Sequence, residues 1–86
     1  MTAPSMADTQ TTCMSIKDAS EAVMGARQAG VPVERVMSIM ATDKMMSAMI
    51  HDAYTSYGYS SDEYKLSVVN DFGAKYYLDC MARNSR

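Results

Sequence analysis

No apolar stretch in this 86-residue sequence runs longer than a few residues, which excludes a helix that spans a membrane. Basic residues are few and scattered. Eight Lys and Arg stand singly against ten Asp and Glu, for a formal charge of −2. A protein that grips phosphates needs a basic face, and none can be assembled here, so nucleic acid is not an expected partner. Histidine occurs once, as His51, which leaves a cysteine nucleophile only one imidazole to serve as its base. Tryptophan is absent, there are two cysteines and neither belongs to a CxxC pair. Period-two alternation of apolar and polar residues is missing as well, which argues against strands.

What is present points to helices. The hydrophobic share is 48%, that of a globular chain and not of a disordered one. The length allows one domain, residues 12–86, behind a small polar segment, residues 1–11, that reads as a flexible tail. Within it Ser5-Met6-Ala7 has the small-x-small form of a signal-peptidase site, but the basic and apolar regions that should precede such a site are missing, and composition alone yields such triplets. A domain this short buries only roughly 60–65% of the surface its unfolded chain exposes, so it needs help beyond its core.

The spacing predicts an all-α, compact four-helix domain with helices at about 13–29, 33–41, 43–57 and 61–83. In the first, Ile16, Ala19, Ser20, Val23, Met24 and Arg27 recur at helical spacing, with Gly30 as the residue after its end. Gly25 weakens it unless another helix must come close there. Pro32 suits a first helical position, and Val33, Val36, Met37 and Met40 form the narrow stripe of the second. Thr42 can cap the third, whose apolar set is Met45, Met46, Met49, Ile50, Ala53, Tyr54 and Tyr57. Ser60 and Glu63 stand at capping-box spacing before the fourth, with Tyr59 and Tyr64 placed for a hydrophobic staple. Val68, Val69, Phe72, Tyr76 and Cys80 then point to one side.

Cys13 opens the first helix and Cys80 closes the fourth. If those helices pack antiparallel, the two thiols meet, and a disulfide closing a loop of roughly 70 residues would stabilise the fold by about 4 kcal/mol. Oxidation implies a periplasmic or secreted protein; two buried free thiols would instead fit the cytoplasm of a bacterial host.

Ten methionines invite a copper test. Met37, Met40, Met46 and Met49, with His51 nearby, resemble a soft-ligand set suited to Cu(I). The same four methionines are also the core-facing positions of their helices, and a flexible Met-rich core is the simpler account, so no cofactor is expected. The carboxylates read as solvated helix-face charges, and no Ser/His/Asp or phosphate-loop arrangement is present, so the expectation is a protein that is not an enzyme. The tyrosines between Tyr54 and Tyr64, interleaved with Ser and Gly, have the composition of recognition surfaces. Core packing absorbs Tyr54, and the staple absorbs Tyr59 and Tyr64. Tyr57 and Gly58, with Tyr77 off the main stripe of the fourth helix, remain as candidate partner-binding residues.

The arrangement Cys13…Ala26-Arg27-Gln28-Ala29-Gly30-Val31-Pro32…Asp52-Ala53-Tyr54…Phe72…Tyr77…Cys80 resembles small, mostly uncharacterised helical proteins of proteobacteria and their phages. The resemblance implies a compact helical domain with paired terminal cysteines and brings no catalytic residues. The expected function is a non-enzymatic module that binds another protein, as a bacterial or phage inhibitor or accessory factor. Two alternatives stand beside it. One is a small periplasmic ligand-binding or stress-related protein with a Met-lined cavity between the second, third and fourth helices; the other is a structural virion component. Oligomeric state is open.

Overall fold

The computed structural model describes residues 6–56 and 58–84. Its elements are α1 (Met6–Gln28), α2 (Val33–Met40), α3 (Lys44–Tyr54) and α4 (Asp62–Asn84). There is no strand among the described residues. The two long helices run antiparallel and touch along most of their length, while α3 packs on α1 and α2 packs on α3. At one end of the pair Cys13 and Cys80 are joined by a disulfide, with the sulfurs 2.07 Å apart. At the other, Gln28 of α1 meets the segment that leads into α4. The molecule is long and thin, 47 × 27 × 15 Å.

Local chemistry accounts for each boundary. α1 closes with a Schellman motif: the Gly30 N–H donates to the Arg27 carbonyl at 3.1 Å and the Val31 N–H to the Ala26 carbonyl at 3.0 Å. Gly30 adopts φ +81°, a left-handed conformation that glycine takes without a Cβ penalty. Pro32 then serves as the N-cap of α2, one position earlier than the first-helical-turn placement expected of it. Asp43, not Thr42, caps α3; its Oδ1 accepts the Met46 N–H at 2.8 Å, and a carboxylate is the better partner for the positive end of a helix.

The larger shifts are at the start of α1 and the end of α3, and the remaining ends lie within one residue of expectation. α1 starts at Met6, so residues 6–11, expected in the tail, are helical; residues 1–5 lie outside the described residues. Once a helix is held at Cys13, each added residue gains a bond for little further entropy, and extension toward the N-terminus needs no buried face. Hydroxyls bond within the helix there, Thr11 to the Ala7 carbonyl and Ser15 to the Thr11 carbonyl. α3 stops at Tyr54, three residues short of the expected end. Thr55 and Ser56 both turn their hydroxyls back onto the Asp52 carbonyl, at 2.9 and 3.2 Å, the competition with backbone bonding that ends helices. α4 begins one residue late: the Lys65 N–H donates to the Ser61 carbonyl, which displaces the register of the Ser60–Glu63 capping box.

The core lies where α1, α3 and α4 converge under α2. Val23, Met24, Met49, Ile50 and Ala53 are all but sealed from solvent, with Val36, Met46 and Phe72 around them. Burying side chains of this size contributes roughly 1.5–3 kcal/mol each. Gly73 sets the separation of the long helices: a Cβ there would stand 2.6 Å from Glu21 Cγ.

Candidate functional site: the tyrosine-bearing end

The connection from α3 to α4 carries the tyrosine-rich sequence, and α1 holds it from below. The Tyr54 hydroxyl donates to the Val31 carbonyl at 2.5 Å, which ties the end of α3 to the turn after α1. Burial pushes the Tyr54 phenol up, and the Arg27 charge opposes it. The Arg27 guanidinium lies 5.7 Å from the centre of the Tyr54 ring and donates through Nε and Nη2 to the Ser56 carbonyl at 3.3 and 3.2 Å. Next along α1, the buried Gln28 accepts the Tyr59 N–H on Oε1 at 2.9 Å, with its Nε2 turned to Met24 Sδ. A polar side chain is costly to bury unless it is bonded, and Gln28 spends its bonds on fixing the loop.

Above this support stand the rings. Tyr59 and Tyr64 stack with centroids 5.7 Å apart and planes at 29°, so the expected staple contact forms although α4 starts a residue late. Both remain on the surface, Tyr59 39% and Tyr64 62% exposed. Gly58 is exposed too, and a Cβ on it would lie 3.3 Å from the Arg27 guanidinium, so a side chain there would press on the group that pins the loop.

The candidate residues named from sequence do not form one patch. Tyr57 lies outside the described residues. Tyr77 sits fifteen positions into α4, about 22 Å along its axis from the loop at helical rise, and is half-buried. The methionines divide as well: Met49 is sealed in the core, Met46 is nearly so, Met40 is half-buried and Met37 is exposed at the rim, while His51 faces solvent. Among the described residues no group of three or more His, Cys, Asp and Glu could hold a metal. Two small cavities lie among the described residues, about 130 Å³ beside Asp8, Thr9, Thr12 and Asn84 and about 100 Å³ beside Lys75, Tyr76 and Asp79.

One polar cluster went unread in the sequence. Asp52 on α3 accepts from Lys75 Nζ at 2.7 Å and from the Tyr76 hydroxyl at 2.9 Å, both on Oδ2. Burial would raise the Asp52 pKa, but these two donors and the Lys75 charge hold it below its ordinary value. Burial, then the bond to Asp52, pushes the Tyr76 phenol up to about 12. The group ties α3 to α4 where few other contacts do, with both donors on the same carboxylate oxygen. Twenty-four residues separate Asp52 from Tyr76, so no local spacing could announce the pair.

No family model, curated protein or solved structure matches this chain. Among the described residues no helix is long and apolar enough to cross a membrane.

Proposed function

We propose that this chain is a non-enzymatic module that binds another protein through the Tyr59–Tyr64 surface. One observation carries the reading: two stacked tyrosines stand exposed on a loop that Arg27 and Gln28 fix from beneath. Stacked, pre-positioned rings offer large contact area with little entropy left to lose on binding. Tyrosine is among the residues enriched where binding energy concentrates. The disulfide fits an oxidising compartment, and the resemblance to small proteobacterial and phage proteins favours an inhibitory or accessory role in a bacterial setting.

The test compares the wild-type chain with the double variant Tyr59→Ser/Tyr64→Ser as baits in bacterial extract, after circular dichroism has established that both fold. A protein retained by the wild type and lost from the variant, with the site mapped to the loop by cross-linking, is the expected result. Equal retention by both baits would overturn the reading.

A further inference from the structure

Core packing absorbs only part of the methionine content. Met24, Met46 and Met49 belong to the buried cluster, where a flexible thioether fills irregular space. Met14, Met37 and Met45 do not: these residues are 42%, 38% and 43% exposed, on α1, α2 and α3 in turn. At such positions leucine forms a helix as well as methionine does, and there is little gap to fill, so neither propensity nor packing accounts for the choice. What sets a surface methionine apart from a surface leucine is its sulfur.

The rest of the chain leaves that sulfur without competition. Both cysteines are joined in the Cys13–Cys80 bond, so no thiol is free, and tryptophan is absent. Thioethers are therefore the most readily oxidised groups in the molecule. Oxidation has opposite consequences at the two sets of sites. A sulfoxide is polar, and one formed at Met24 or Met49, 1% and 0% exposed, would bury an oxygen that needs a hydrogen-bond partner. One formed at Met14, Met37 or Met45 is bathed by water and leaves the fold in place.

We propose that the folded chain is a sacrificial scavenger of two-electron oxidants of the hypochlorous acid class, taking one oxygen at each of Met14, Met37 and Met45 before its core is touched. With hypochlorous acid the thioether sulfur takes chlorine from the oxidant and hydroxide is released. Water then displaces chloride at sulfur, and loss of two protons leaves the sulfoxide. Sulfur is oxidised by two electrons and chlorine is reduced by two, with HCl as the net by-product. Met14 follows Cys13 near the disulfide, while Met37 and Met45 stand on the two short helices that cover the core, so the sulfurs guard separate approaches. Methionine sulfoxide is reversible by sulfoxide reductases, so the sites can be reset. The role suits the oxidising setting in which the disulfide persists.

Incremental addition of hypochlorous acid to the disulfide-bonded chain, with peptide mass mapping and circular dichroism after each increment, tests this. Of the six methionines, Met14, Met37 and Met45 are expected to gain oxygen first, with helicity unchanged, and Met24, Met46 and Met49 only as helicity falls. The variant Met14→Leu/Met37→Leu/Met45→Leu keeps good helix formers at all three sites, so its helicity should fall about three equivalents of oxidant sooner. Leu66→Met places a sulfur at a site 63% exposed and should delay the fall by about one equivalent. Every other methionine is common to the chains compared, so these shifts in dose report the substituted sites alone. Core methionines that gain oxygen as early as the exposed three, while helicity is unchanged, overturn the proposal. So does a triple variant that tolerates the wild-type dose, or a Leu66→Met variant that shows no delay.

Discussion

The two ends of the α1–α4 pair are held by different physics. At the core end α2 and α3 cover the long helices, and Val23, Met24, Met49, Ile50 and Phe72 exclude water together. Side-chain bonds then tie that end further: Tyr54 to Val31, Arg27 to Ser56, Gln28 to Tyr59. At the other end two helices lie alone. Cys13 and Cys80 are buried there but stand apart from the core cluster, and beyond them Ala7, Asp8, Gln10, Thr11 and Thr12 are exposed or nearly so. A pair of bare helices has little apolar surface to hide, so one covalent bond does at that end what many contacts do at the other.

Removing that bond tests the difference most severely. Reduction, or Cys13→Ser with Cys80→Ser, releases a constraint across 67 residues and should lower stability by about 4 kcal/mol on the chain-entropy model. Met49→Ala should cost a comparable or somewhat smaller amount, about 2–5 kcal/mol, by opening a cavity at a fully buried site. The distinction lies in where protection is lost. Amide exchange in the reduced protein should rise first in residues 6–15 and 78–84, while Met49→Ala lowers protection of α1, α3 and α4 around the core together. Equal, uniform loss in both variants would erase the contrast between the ends.

The Asp52 cluster belongs to neither regime, and pH addresses it. Asp52 is held below its ordinary value in the folded chain, so its contribution is present above pH 3.8 and lost as pH falls toward the folded value. Tyr76 has the opposite sign: its phenol is raised to about 12, so the neutral form favours folding below pH 10 and that advantage disappears between pH 10 and 12. Denaturation across pH should therefore show an acid limb that Asp52→Asn flattens and an alkaline limb that Tyr76→Phe flattens. At neutral pH Tyr76→Phe should cost about 1.5–3 kcal/mol, the scale of one hydrogen bond to a charged group. Unchanged limbs in both variants would mean that the cluster does not couple α3 to α4.

How far the sequence carried the fold follows from the same contrast. Apolar period identified α1 from Ile16 to Arg27 because that stretch faces a core, and it missed the start of the helix because residues 7–11 are exposed but for a half-buried Thr9. Gly30 was legible as a terminator, since a left-handed position has few other occupants. The pairing of Cys13 with Cys80 could be read from their bracketing places. Arg27 was read only as a position at helical spacing, and the Ser56 carbonyl it bonds lies twenty-nine residues away. The support under the tyrosine loop and the Asp52–Lys75–Tyr76 cluster are long-range contacts between polar residues, and such residues leave no period in a sequence. Tyr77 was grouped with the loop by residue type; the helix rise carries it to the other end.

The smallest effect is also the sharpest comparison, because it asks two glycines in the same helix pair to behave oppositely. Gly25 has open space where a Cβ would go, so Gly25→Ala should stabilise the fold by about 1 kcal/mol. Alanine at Gly73 gains the same helix propensity but places its Cβ 2.6 Å from Glu21 Cγ and 2.7 Å from Oε2. Something must move, and the long Glu21 side chain can, at the expense of its 3.0 Å pairing with Lys17 and of the close approach of α1 to α4. An exposed or half-exposed pair is worth under about 1 kcal/mol, so the pairing alone would not cancel the propensity gain. Crowding between two helices adds to it, and overpacking typically costs about 1–3 kcal/mol. Gly73→Ala should therefore be destabilising in thermal melts, and the gap between the two variants should exceed either effect alone. If both alanines stabilise equally, α1 and α4 are not held close at Gly73, and the separation of the long helices is set at the disulfide end instead.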